Sequence, residues 1–300
     1  MDVARSAQHH ALTPVGLLEG APPLRTLDLT GLGSLVVRDS GPPTDRPDAP
    51  VVFLLHGWWV DADLNWCRSF GSLTDRFRVV AWAHRGHGRH GLRGGRRFRL
   101  EDCADDAVAV ADALGIETFT VVGYSLGGAV AQLVARRHPQ RVSGLILCAT
   151  ALTFASTPGL RRQLRMLRLV APAARLVGDV AWKLVWRIAD LRGGLGVGDD
   201  DVDGLARGVI RQGDLRLLLG AGAALGGFDA RDWVPDLNVA SAVVVCTMDG
   251  VIPTADQRRL AEALPALHVE EVAADHLACV TAPDRFLPAL RRALDAVTEG

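Results

Sequence analysis

The chain has 300 residues, enough for one large domain with an insertion. Its 33 basic and 34 acidic residues leave a net charge of −1, which gives no basis for nucleic acid as a partner. Hydrophobic residues make up 49%, enough for a sizeable core, and no apolar run approaches the ~18 residues that span a bilayer.

The segment before residue 24 carries His9 and His10 and lacks the apolar stretch of a signal peptide, so residues 1–23 read as a flexible leader and the chain as cytoplasmic. Leu24–Leu29 and Leu35–Arg38 alternate around Gly31 and Gly33, as in an edge hairpin. Pro-rich residues 41–50 form a loop. Val51–Leu55 is a continuous apolar run, expected of a strand buried on both faces. It leads into His56-Gly57-Trp58-Trp59, which as letters could be a simple turn at a strand end. Residues 63–75 read as a helix and Arg78–Trp82 as the next strand. Ala83 to Gly91 follows, with Arg85, Arg89, Arg93, Arg96, Arg97 and Arg99 nearby. A solvated basic loop is the simpler reading, and an anion-recognition patch the sharper one. The histidines here match no metal-ligand spacing, and no metal is expected.

Leu100–Leu114 is an amphipathic crossover helix. Phe119–Val122 is a short β-branched strand, and from Leu126 to His138 the spacing is helical up to Pro139. Between them lies Gly123-Tyr124-Ser125-Leu126-Gly127. A Ser capping a helix in a Gly-rich turn would give the same letters. A strand turning directly into a helix, however, brings backbones so close that only glycine fits, and it lifts Ser125 to the carboxyl end of the sheet. The helix N-terminus there presents unpaired N–H groups.

Val142–Cys148 is a further buried strand. Residues 152–235 hold no convincing strand. They show helical patterns at 160–177, 181–189 and 214–225, a glycine-rich break at 193–198 and an acidic patch at Asp199–Asp203. Basic Arg161, Arg162, Arg165 and Arg168 alternate with Leu164, Met166, Leu167 and Leu169. Strand pattern resumes at Ala242–Val245, followed by Asp249 and Pro253, a helix at 254–264, a strand at 268–272, His276, and a closing helix at 284–297. The five cysteines form no C-x-x-C pair and read as buried reduced thiols.

The elbow Gly-Tyr-Ser-Leu-Gly-Gly, His56-Gly57, Arg85-Gly86-His87-Gly88 and the order Ser125, Asp249, His276 resemble the α/β-hydrolase family, in its serine esterase or lipase-like branch. The resemblance departs at Ala83, where an acid is common, at Cys246 and Asp275, where glycine is common, and at Trp58 and Trp59, in a loop that is otherwise Gly-rich. It implies an α/β fold: a mostly parallel eight-stranded sheet flanked by helices. Residues 24–151 and 236–300 would form the core and 152–235 a helical lid. It implies Ser125 as nucleophile, His276 as base and Asp249 as its orienter, with Asp275 a weaker competitor for the imidazole. Backbone N–H groups of Trp58 and Leu126 would form the oxyanion hole. His56, Gly57, Trp59 and Tyr124 would contact a small-molecule ester, with no cofactor. Acyl transfer, thioester or C–C bond hydrolysis and a ligand-binding receptor share these residues. A Ser at the elbow sets the chain apart from epoxide hydrolases and haloalkane dehalogenases, which use Asp there. Stable membrane insertion is not expected, and the oligomeric state, a homodimer included, is open.

Overall fold

In a computed structural model, the structure describes residues 18–92, 97–154, 200–265 and 267–299, together with 159, 162, 164, 166 and 167. Residues 1–17, most of the patterns at 160–177, all of 181–189 and 193–198, and Arg93 and Arg96 lie outside them.

Eight strands form one sheet: β1 (Leu24–Leu29), β2 (Gly33–Asp39), β3 (Val51–Leu55), β4 (Arg78–Trp82), β5 (Phe119–Tyr124), β6 (Val142–Cys148), β7 (Ser241–Cys246) and β8 (Leu267–Val272). Their order is β1-β2-β4-β3-β5-β6-β7-β8. The β1–β2 hairpin and the β2–β4 pair are antiparallel, and every pair from β4 through β8 is parallel. The hairpin turn places Gly31 and Gly33 at φ +76° and +91°, a region glycine enters without a Cβ penalty. Strands β5 and β7 are buried throughout, which explains why they read as unbroken apolar runs.

The helices are α1 (Ala62–Trp66), α2 (Phe70–Leu73), α3 (Leu100–Ala113), α4 (Leu126–Arg137), α5 (Asp200–Gln212), α6 (Leu215–Leu225), α7 (Thr254–Ala263), α8 (Ala278–Thr281) and α9 (Pro283–Thr298). One core lies under α3, α4 and α7, around Phe53, Val121, Val130 and Leu145. The other lies under α1, α2 and α9, around Trp66, Phe70, Tyr124 and Phe286. All five cysteines are unbridged and buried.

Two elements differ from the sequence reading. The helix expected over 63–75 is broken into α1 and α2, with Ser69 between them donating its N–H to Trp66 O at 2.8 Å. Residues Asp200 to Asp203 of the acidic patch open α5, whose Val202, Leu205, Ala206 and Val209 are buried on the α1 side of the sheet. Their i, i+3, i+4, i+7 spacing is a helical signal, masked by Gly204 and Gly208 and the leading aspartates. Helix α6 closes over the loops that follow β3 and β4. Among the described residues, no helix is long and apolar enough to cross a membrane.

Candidate active site

Strand β5 turns into α4 at Ser125, which sits at φ +53°, ψ −112°. A non-glycine residue there is strained, and its surroundings must hold it. Ser125 N–H donates to Cys148 O at 2.9 Å, and Thr150 Oγ donates to Ser125 O at 2.8 Å, tying the turn to the end of β6. The space allows no side chains nearby. A Cβ on Gly123 would lie 2.3 Å from Gly127 O, and one on Gly127 would lie 2.2 Å from Leu55 O.

His276, in the loop after β8, brings Nε2 to 3.0 Å from Ser125 Oγ. Its Nδ1 is 2.7 Å from Asp249 Oδ2, after β7. With Nδ1 protonated, His276 donates to the carboxylate and offers a lone pair to the hydroxyl. The Asp249 carboxylate is fully held. Oδ1 accepts the N–H groups of Val251 and Ile252, each at 2.8 Å, and Oδ2 accepts Gln257 Nε2 at 3.0 Å. Gln257 is completely buried on α7, and its Oε1 accepts Cys246 N–H at 2.9 Å. Asp275 does not reach the imidazole. Its Oδ1 accepts Leu277 N–H at 2.9 Å and Thr281 Oγ at 3.2 Å.

The loop after β3 passes beside Ser125: a Cβ on Gly57 would lie 3.5 Å from Ser125 Cβ. Gly57 N–H donates to Asn65 Oδ1 at 2.9 Å, and Gly57 O accepts His56 Nδ1–H at 2.7 Å. That tautomer follows from His56 Nε2 accepting His84 N–H at 2.8 Å. His56 therefore holds the carbonyl end of the peptide whose other end is Trp58 N–H. Trp58 N–H donates to no acceptor among the described residues, and Leu126 N–H lies in the first turn of α4, where no intrahelical acceptor exists.

Two of the residues expected to contact substrate are buried. His56 is fully buried and braces the loop from below. Tyr124 is 2% exposed, because the alternation of β5 turns it to the α9 side, where its ring meets Phe286 at 5.6 Å and its hydroxyl donates to His276 O at 2.9 Å. Trp59 is half-buried at φ +69°, with its ring 5.0 Å from that of Trp58. The sequence reading missed Gln257, Asn65 and Thr150. Asn65 and Thr150 are polar residues flanked by apolar ones, whereas Gln257 lies among polar neighbours and gave no signal.

The basic loop is partly neutralised. Arg85 makes paired hydrogen bonds to Asp106 on α3 at 2.7 and 2.6 Å, which push its already high pKa further up, and Arg99 lies 3.6 Å from Glu101. Among the described residues, no group of three His, Cys, Asp or Glu could hold a metal ion.

An eight-stranded sheet of this order, with a Ser–His–Asp chain at its carboxyl edge, defines the class. The chain belongs to the alpha/beta hydrolase fold family, whose sequence profile matches residues 50–283. It is 28% identical to a provisionally named carbamate hydrolase, RutD, of Rhizobium rhizogenes over 261 residues, 85% of this chain and 96% of that protein. Its similarity to the RutD of Agrobacterium fabrum is 32% over 100 residues, and this match spans 38% of that protein. Among solved structures, a thermophilic esterase from Thermogutta terrifontis superposes with a TM-score of 0.70 at 24% identity, covering 92% of this chain and 99% of that one. At that identity the likeness reports the fold.

Proposed function

We propose that the protein hydrolyses a carboxylic ester of a small to medium, largely apolar substrate through an acyl-enzyme on Ser125. The reading rests on the hydrogen-bonded chain from Ser125 Oγ through His276 to Asp249. Ser125 Oγ attacks the carbonyl carbon as its proton passes to His276 Nε2. Asp249 holds the imidazole in the tautomer that accepts this proton and stabilises the imidazolium. The tetrahedral oxyanion is received by the N–H groups of Trp58 and Leu126, each contributing on the order of 2.7–4 kcal/mol. Collapse expels the alcohol, which takes the proton from His276. Water, deprotonated by the same imidazole, then releases the acid and frees Ser125. The described helices α5 and α6 belong to the expected cap, 152–235.

The test is intact-protein mass after a fluorophosphonate probe, beside turnover of p-nitrophenyl esters of increasing acyl length. One adduct on Ser125, with turnover lost in Ser125→Ala, is expected. Full turnover in Ser125→Ala would sink the reading. Similarity to a carbamate hydrolase over most of both chains favours a second substrate class with the same steps. A p-nitrophenyl carbamate in the same series separates the two by their kcat/KM.

A further inference from the structure

We infer that Trp58 is a positioning residue, whose indole clamps the oxyanion peptide to α6 and makes that helix a fixed wall of the site. This rests on the hydrolase reading above for its catalytic consequence, while the clamp itself is a matter of geometry.

The peptide joining Gly57 and Trp58 is held from the core side by His56 at Gly57 O, and the peptide before it by Asn65 at Gly57 N–H. On the cap side, Trp58 Nε1–H donates to Leu218 O on α6 at 2.7 Å, across 160 residues of chain. A mid-helix carbonyl already accepts the N–H four residues on, so the indole uses its second lone pair. Access to that lone pair depends on Gly222. A Cβ there would lie 2.4 and 2.5 Å from Trp58 Cζ2 and Cη2. The missing side chain is a notch cut for the indole.

Helix α6 is fastened at two further points, both in the loop between β4 and α3. Asp214 N–H, at its N-cap, donates to Gly86 O at 2.8 Å. Leu217 covers Gly86, where a Cβ would lie 2.3 Å from Leu217 Cβ, and Gly220 faces Phe98, whose Cβ would lie 3.1 Å from a Cβ there. A lid that swings is drawn from weakly packed segments. This helix instead buries Leu217, Leu218, Ala221 and Leu225 and bonds to the loops after β3 and β4. Moving it would pull on the peptide whose N–H receives the oxyanion.

The experiment compares the full chain with Trp58→Phe and Gly222→Ala. The first keeps a ring in the slot and removes only the donor. The second keeps the donor and fills the notch. For p-nitrophenyl acetate, the loss of one positioning hydrogen bond should lower kcat about 5- to 10-fold in each, with KM nearly unchanged. The double variant should be no worse than either single one, since both remove the same coupling. Hydrogen exchange, which needs no activity, should quicken together in peptides covering 56–60 and 215–225. A Trp58→Phe chain with parental kcat overturns the positioning role. Slower turnover with unchanged exchange in 215–225 overturns the clamp. A parent that neither turns over nor takes up a fluorophosphonate overturns the hydrolase reading and the catalytic consequence with it, and the exchange arm still decides the clamp. If Gly222→Ala fails to fold, Trp58→Phe carries both arms alone.

Discussion

His276 is held between two partners of opposite character: a hydroxyl at Nε2 and a carboxylate at Nδ1. Replacing Asp249 by Asn keeps the shape but lets the amide stabilise the wrong tautomer. The Asp249→Asn chain should lose roughly 10⁴-fold in kcat, read from steady-state ester turnover, with folding intact by circular dichroism. Gln257 acts at one remove, orienting Asp249 through Nε2 while satisfying Cys246 N–H through Oε1. Gln257→Leu leaves that buried N–H without its side-chain acceptor. The expected cost is about 1–3 kcal/mol in urea unfolding, together with a lower kcat at similar KM. A change in stability alone, with kcat untouched, would show that the carboxylate is oriented sufficiently by the Val251 and Ile252 amides.

The elbow shows how little freedom an element has when two backbones must touch. Gly127→Ala would drive a Cβ against the Leu55 carbonyl, in a rigid strand end that cannot withdraw. Overpacking of this kind costs about 1–3 kcal/mol, and the strained Ser125 turn would relax with it. Both lower stability and slower labelling of Ser125 by a fluorophosphonate are expected. Gly208, inside α5, is the opposite case, since a Cβ there meets nothing within 4 Å. Gly208→Ala should raise stability by about 0.5–1 kcal/mol, measured as a higher urea midpoint at the same slope.

At the scale of the whole molecule, the loops after β3 and β4 enclose three imidazoles that have no carboxylate partner among the described residues. His56 and His84 lie 4.4 Å apart between ring centres, and His56 and His87 lie 5.1 Å apart. Among the described residues, neither nitrogen of the His84 ring has a hydrogen-bond partner. Burial, and the neighbouring His87, push His84 down to about 3, and burial pushes His87 down to about 4. Their unfolded values lie near 6.5, so below that pH the unfolded chain binds protons that the native chain does not. Stability is therefore full above about 6.5 and falls on acidification, by about 1.4 kcal/mol per pH unit for each such histidine. Asp61, raised to about 7 by burial and by Asp63, works in the opposite direction. Comparing the parent with His84→Leu isolates the imidazole. Between pH 7.5 and 5.5, the urea midpoint of the variant should fall less steeply, and equal slopes would show that His84 titrates normally.

The same contrast separates what was legible in the sequence from what was not. The strands and the strand-to-helix turn at Ser125 could be read, because buried parallel strands leave unbroken apolar runs and a tight turn demands glycine within one or two residues. These are local constraints, written in neighbouring letters. The turning of Tyr124 and His56 into the core, the bracing of Asp249 by Gln257 and the slot in α6 for Trp58 join residues 8 to 160 positions apart. Only the packed structure decided them, because a buried hydrogen bond is specified by the donors and acceptors that folding brings together, and a single buried polar residue looks the same in sequence whatever partner it meets.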